Sequence, residues 1–119
     1  MKITTHQVNN LNIAEVTAPV IFIRTVQDGL DLMGNMYYQG FDRLVLHAEN
    51  ITPEFFDLKT KIAGEILQKF SNYRVRLSIV GDFTVYTSRS LKDFIHESNK
   101  GKLVNFVDSL EEALERLSS

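Results

Sequence analysis

Hydrophobic positions along this chain switch between two periods. From Arg74 to Val80, Val75, Leu77 and Ile79 alternate with Arg74, Arg76 and Ser78, which is the period of a strand. Arg43 to His47 alternates in the same way, Leu44 and Leu46 against Arg43, Val45 and His47. Between these runs, Leu58, Ile62, Ile66 and Phe70 recur at helical spacing, widened by Phe55, Ala63 and Leu67. Thr52-Pro53-Glu54 gives that stripe a hydroxyl cap, a proline at the first helical position and an acid in the first turn. The spacing therefore predicts one helix from Pro53 to about Asn72.

The same reading runs outward in both directions. Val26, Leu30, Met33 and Tyr37 mark a helix opened by Thr25 with Asp28 in the capping-box position and stopped by Gly40. Upstream, two strands meet at Val8-Asn9-Asn10-Leu11, since paired asparagines tolerate the positive φ of a tight hairpin. On the second strand Leu11, Ile13 and Glu15 share one face, and Ala14 and Val16 the other. Val20 to Ile23 suits a further short strand. Downstream come a polar loop from Gly81 to Thr87 and a helix capped by Ser88 or Ser90 and ended by Gly101. A strand from Leu103 to Val107 and a last helix opened by Asp108 or Ser109 complete the chain. Strands alternating with helices give an α/β domain spanning 1–119, with a mixed sheet, an antiparallel amino-terminal hairpin, a parallel βαβ core and about four helices.

A parallel strand between two helical layers should be apolar on both faces. The alternation of Arg43 and of Arg76 and Ser78 with apolar neighbours therefore predicts helices crowding one face. The other face is left partly open around Arg43, Arg76, Ser78 and Asn105 as an interaction surface, whether for another protein or for a second copy. The pair Tyr37-Tyr38, near Met33 and Met36, suits either a contact surface or a core helix.

Composition narrows the chemistry. At 119 residues and a formal charge of -2, the chain lacks the basic surplus of a nucleic-acid binder, so no nucleic acid is expected. It has no cysteine, which removes disulfides, thiolate catalysis and sulfur-ligated metals. The start, MKITTHQ, carries no apolar signal region, and the run Val20 to Ile23 is too short to span a bilayer. A cytoplasmic location without membrane contact is expected.

Ligands of α/β sheets bind at the carboxyl ends of the strands. That places a candidate ligand locus at His47, Glu49 and Asn50 after one strand and at Asp82, Thr84, Tyr86 and Ser88 after the next, with Arg89 beside them at the start of a helix, where an anion would be welcome. Turn and cap roles account equally well for Asp82, Ser88 and Ser90. His6, His47 and His96 have no metal-ligand spacing, so no metal is expected, and no cofactor either. There is no nucleophile elbow, P-loop or dinucleotide fingerprint, and Gly29 to Gly34 lies inside a helical pattern. No catalytic residue is assigned.

The segments GEILQKF (64–70), Tyr73-Arg74, Gly81-Asp82-Phe83, SLKDFI (90–95) and ESNKG (97–101) resemble a small bacterial family catalogued as domain of unknown function 4180. Phe55 to Leu58 and Asp28 to Leu32 fit the same pattern, so the likeness covers nearly the whole chain. It brings no catalytic residues with it. The order of elements also resembles the STAS class, typified by anti-sigma-factor antagonists, in which a serine at a helix start is phosphorylated. Here Leu58 and Lys59 stand in that region, leaving Thr52 or Thr60 as substitutes. The resemblance implies a non-enzymatic regulatory or protein-interaction module. A small-molecule or anion-binding protein, using the loops named above, is the alternative.

Overall fold

The computed structural model describes residues 1–119, and its elements follow the two periods of the sequence. Strands β1 (Lys2–Val8) and β2 (Leu11–Thr17) form the antiparallel hairpin. Asn9 and Asn10 turn it with φ of 53° and 66°, the left-handed pair that a two-residue loop needs. Helix α1 (Val26–Tyr38), β3 (Arg43–His47), α2 (Ile62–Asn72), β4 (Arg76–Val80), α3 (Arg89–Lys100), β5 (Val104–Val107) and α4 (Leu110–Leu117) follow. The sheet order is β1-β2-β3-β4-β5, antiparallel in its first pair and parallel in the rest. The mixed α/β architecture expected from the sequence is thus observed.

Boundaries differ from expectation where side chains compete with the helix. The stretch after Thr52 breaks into two 3₁₀ turns, Pro53–Phe56 and Leu58–Thr60, before α2 begins. Asp57 accepts from the Lys59 amide, and Lys61 sits at φ 66°, a left-handed residue that no continuous helix allows. Val20 to Ile23 is not a strand: it contributes a single bridge, Ile23 to Ile51. Helix α3 takes Ser88 as its cap and α4 takes Ser109.

On one face of the sheet Ala14, Val16, Leu44, Leu46, Leu77, Ile79, Val104 and Phe106 form the main core with α1, α2 and α3. There α1 approaches α2 so closely that a Cβ on Gly29 would lie 2.7 Å from Ile66 Cδ1, so this glycine is a packing requirement. The reverse face is not open over β3 to β5. Helix α4 packs there, and Ala113 and Leu117 join Ile13, Val45 and Val107 in a second core.

That helix overturns the expected interaction surface. Ser78 and Asn105 are buried, at 0% and 1% exposure. Arg43 donates through Nε to the Leu117 carbonyl at 2.8 Å. Arg76 donates to the carbonyls of Lys102, Arg116 and Ser119. The two arginines cap the carboxyl end of α4, where carbonyls lack helical partners and positive charge is favoured. Burial, followed by the nearness of Arg43, lowers the Arg76 pKa from its ordinary value, with Asp42 opposing the change.

The two sheet edges are finished differently. At β5, Asn99 of α3 donates to the Phe106 carbonyl at 3.0 Å and accepts from the Phe106 amide at 2.7 Å. Ser98 donates its hydroxyl to the Val104 carbonyl. This edge is closed by side chains acting as a surrogate strand. Strand β1 packs on β2 and has no comparable cover.

Candidate functional site

The carboxyl ends of β3 and β4 lead into the loops where a ligand was expected, and those loops are largely filled. Tyr86 stacks on Phe56 with ring centroids 5.1 Å apart, Phe83 lies 5.8 Å from Phe56, and Phe83 meets Phe106 edge-on at 5.4 Å. Such aromatic contacts stabilise the loop beyond simple area burial. Burial raises the pKa of the Tyr86 hydroxyl.

The polar residues of the expected locus do not converge. Asp82 serves its own turn, accepting from the Thr84 amide and hydroxyl, and these bonds lower its pKa. Ser88 accepts from the Leu91 amide as the α3 cap. Arg89 and Glu49 are exposed. Asn50 points inward, donating to the carbonyls of Ala18 and Val20, and so ties down the loop before α1.

His47 projects from the opposite face of the sheet. There Glu15, on β2, takes one hydrogen bond on each carboxylate oxygen, from His6 at 2.8 Å and from His47 at 2.7 Å. Burial acts to raise the Glu15 pKa. The two imidazole hydrogen bonds and the attached charges outweigh it, and the net direction is downward. The row crosses three strands with the carboxylate in the middle, and no group of three or more His, Asp or Glu side chains is arranged to hold a metal ion.

Only Asp82 and Thr84 of the expected set reach the largest cleft, an open depression of about 600 Å³ between the 81–84 loop, α3 and the start of α4. Lys92, His96, Asp108 and Glu112 also line it. Three carboxylates outweigh the lysine, which does not suit an anion. Neither substitute hydroxyl stands free: Thr52 is buried, and Thr60 donates to the carbonyls of Glu54 and Asp57.

A different surface stands out. Tyr37, Tyr38 and Tyr73 are 53%, 92% and 52% exposed. Tyr37 and Tyr73 pack edge to face at 6.1 Å where α1 and α2 end. A shallow groove of about 290 Å³, lined by Leu30, Met33, Gly34 and Lys69, runs up to them. The sequence flagged Tyr37-Tyr38 but not Tyr73, which joins the patch only because α1 and α2 lie side by side. No helix is long and apolar enough to cross a membrane.

Comparison with known proteins places the chain. It belongs to the family described as a domain of unknown function (DUF4180), matched over residues 8–117. Among solved structures it is similar to a candidate anti-sigma factor antagonist from Thermotoga maritima. The two share 12% identity with a TM-score of 0.47, over 98% of this chain and 95% of that one. No curated protein matches the sequence.

Proposed function

We propose that the chain is a non-enzymatic protein-interaction module of a regulatory kind, and that it meets its partner through Tyr37, Tyr38 and Tyr73. The observation that carries this reading is the edge-to-face pair of exposed tyrosines, Tyr37 and Tyr73, lining an apolar groove, with the still more exposed Tyr38 next in the chain. Tyrosine is enriched at interface hot spots because it offers a large, stiff apolar surface with a polar tip. The filled strand ends and the dispersal of His47, Asp82 and Arg89 add support, since a catalytic site needs such groups to converge.

The acid-lined cleft favours a second reading, a small polar or cationic ligand held by Asp82, Asp108 and Glu112. Affinity capture from cells that make the protein separates the two. A partner retained by the wild type and by Lys92→Ala, but lost when all three tyrosines become alanine, supports the interaction module. A co-purifying metabolite whose retention depends on the cleft carboxylates, with no tyrosine-dependent protein, replaces it with the ligand reading.

A further inference from the structure

The contrast between the sheet edges points to a second partner, and here the occupant is specified by the strand itself. In a hairpin with a two-residue loop, Val8 and Leu11 form the hydrogen-bonded pair beside the turn. The alternation then sends the amide and carbonyl groups of Ile3, Thr5 and Gln7 outward, away from β2. None of these backbone groups finds a partner elsewhere in the chain. All three residues are exposed, and β1 carries no proline, no bulge and no charged side chain beyond Lys2 at its start and His6, which is tied to Glu15. Those are the devices that keep edge strands apart, and β5 receives an explicit one from Asn99.

The hairpin is also under-supported. Only Ala14 and Glu15 of β2 pair with β3, so the turn end around Asn9 and Asn10 lacks a third strand. A two-stranded ribbon is marginal in water until another strand joins it.

We infer that β1 pairs antiparallel with β1 of a second copy, on a two-fold axis passing through Thr5. That register is self-complementary over the whole strand. Thr5 faces Thr5, Ile3 faces Gln7, Thr4 faces His6 and Lys2 faces Val8. Each copy offers three outward donors and three outward acceptors to match. No like charges meet, and the central threonine pair is a favourable one in sheets. Axes at Thr4 or His6 also keep the hydrogen-bond alignment but pair only five of the seven strand residues. The first sets Lys2 against His6 and the second sets two histidines face to face. Axes at Ile3 or Gln7 pair three. The result is one continuous sheet across two copies, the isologous arrangement expected of a C2 dimer. The inference does not depend on the tyrosine surface.

Sedimentation velocity on the full chain, from micromolar to millimolar concentration, tests it. The wild type should show a reversible monomer–dimer equilibrium. Thr5→Pro removes an outward amide that β2 does not use, so the fold should survive, as proline is tolerated on edge strands, while self-association weakens at least about tenfold. Thr5→Lys and Thr5→Asp should each be monomeric alone and should pair when mixed, because the axis sets the two side chains opposite one another. That pair of variants keeps the test decisive if the proline variant fails to fold. A wild type that stays monomeric at millimolar concentration overturns the inference. So does a dimer indifferent to Thr5, a mixture that fails to pair, or a dimer lost only when the tyrosines are replaced.

Discussion

One face of the sheet is built in two ways. Over β3 to β5, α4 lies on it, and the residues beneath are committed to packing or to capping that helix. Over β1 and β2 the helix reaches only Ile13, and the rest of the same face is held by the row His6–Glu15–His47. The first region gains its stability from apolar area removed from water, the second from hydrogen bonds to one carboxylate. In the middle of the sheet, Arg43 and Arg76 find their partners in the layer above. Near the edge, water and cross-strand neighbours suffice.

Removing one buried leucine tests the first half of that contrast and carries the largest expected effect. Leu117 is fully buried in the small core under α4. Leu117→Ala should cost about 2–5 kcal/mol, the range for a buried leucine whose cavity closes incompletely. Val8, half-buried on the hairpin at the fringe of that core, should cost about 1 kcal/mol or less when replaced by alanine. Urea unfolding of both variants checks this. Equal losses would mean that α4 and the hairpin are held alike.

The elements were legible because periodicity and caps agreed. Thr25 with Asp28 does form a capping box, and Gly40 follows α1 with φ +94°. What local pattern could not supply was the layer above each strand. Arg43 and Arg76 read as wet positions, yet they are drawn inward by the carbonyls at the end of a helix more than 30 residues further on. A clue lay in the apolar stripe Leu110, Ala113, Leu114 and Leu117, which needs a sheet face to cover it. Val45 and Val107, on the same side as the arginines, supply that face. The residues of the candidate ligand locus are dispersed for a related reason. His47 alternates to the face opposite the loops, and Asp82 and Ser88 are consumed by local amides, as their residue types always allowed.

Acid should loosen the hairpin first. The folded-state pKa of Glu15 lies below the ordinary 4.5, so its contribution to stability is whole above that value. It is lost as the pH falls from there toward the folded value, because the unfolded chain then binds a proton that the native carboxylate does not. Amide exchange of β1 should therefore quicken in this acidic window relative to β4. Glu15→Gln should flatten the dependence while lowering stability at neutral pH. An unchanged pH slope in that variant would mean the row does not hold the hairpin.

The smallest effect probes the covered region from the opposite direction. Ser78 and Asn105 face each other across β4 and β5, and the Ser78 hydroxyl and the Asn105 carbonyl oxygen are both buried without hydrogen-bond partners. A buried polar atom left unpaired costs about 1–3 kcal/mol of desolvation. Removing one hydroxyl also leaves a small void, which takes back part of that gain. Ser78→Ala should therefore be neutral or stabilise by up to about 1 kcal/mol. Thr4→Ala, on the same face but beside water on β1, should bring no gain. Thermal unfolding resolves the two. If Ser78→Ala instead destabilises by more than about 1 kcal/mol, the hydroxyl has a partner in solution. The face under α4 would then be held partly by polar bonding, as the hairpin is, and the distinction between the two regions would narrow.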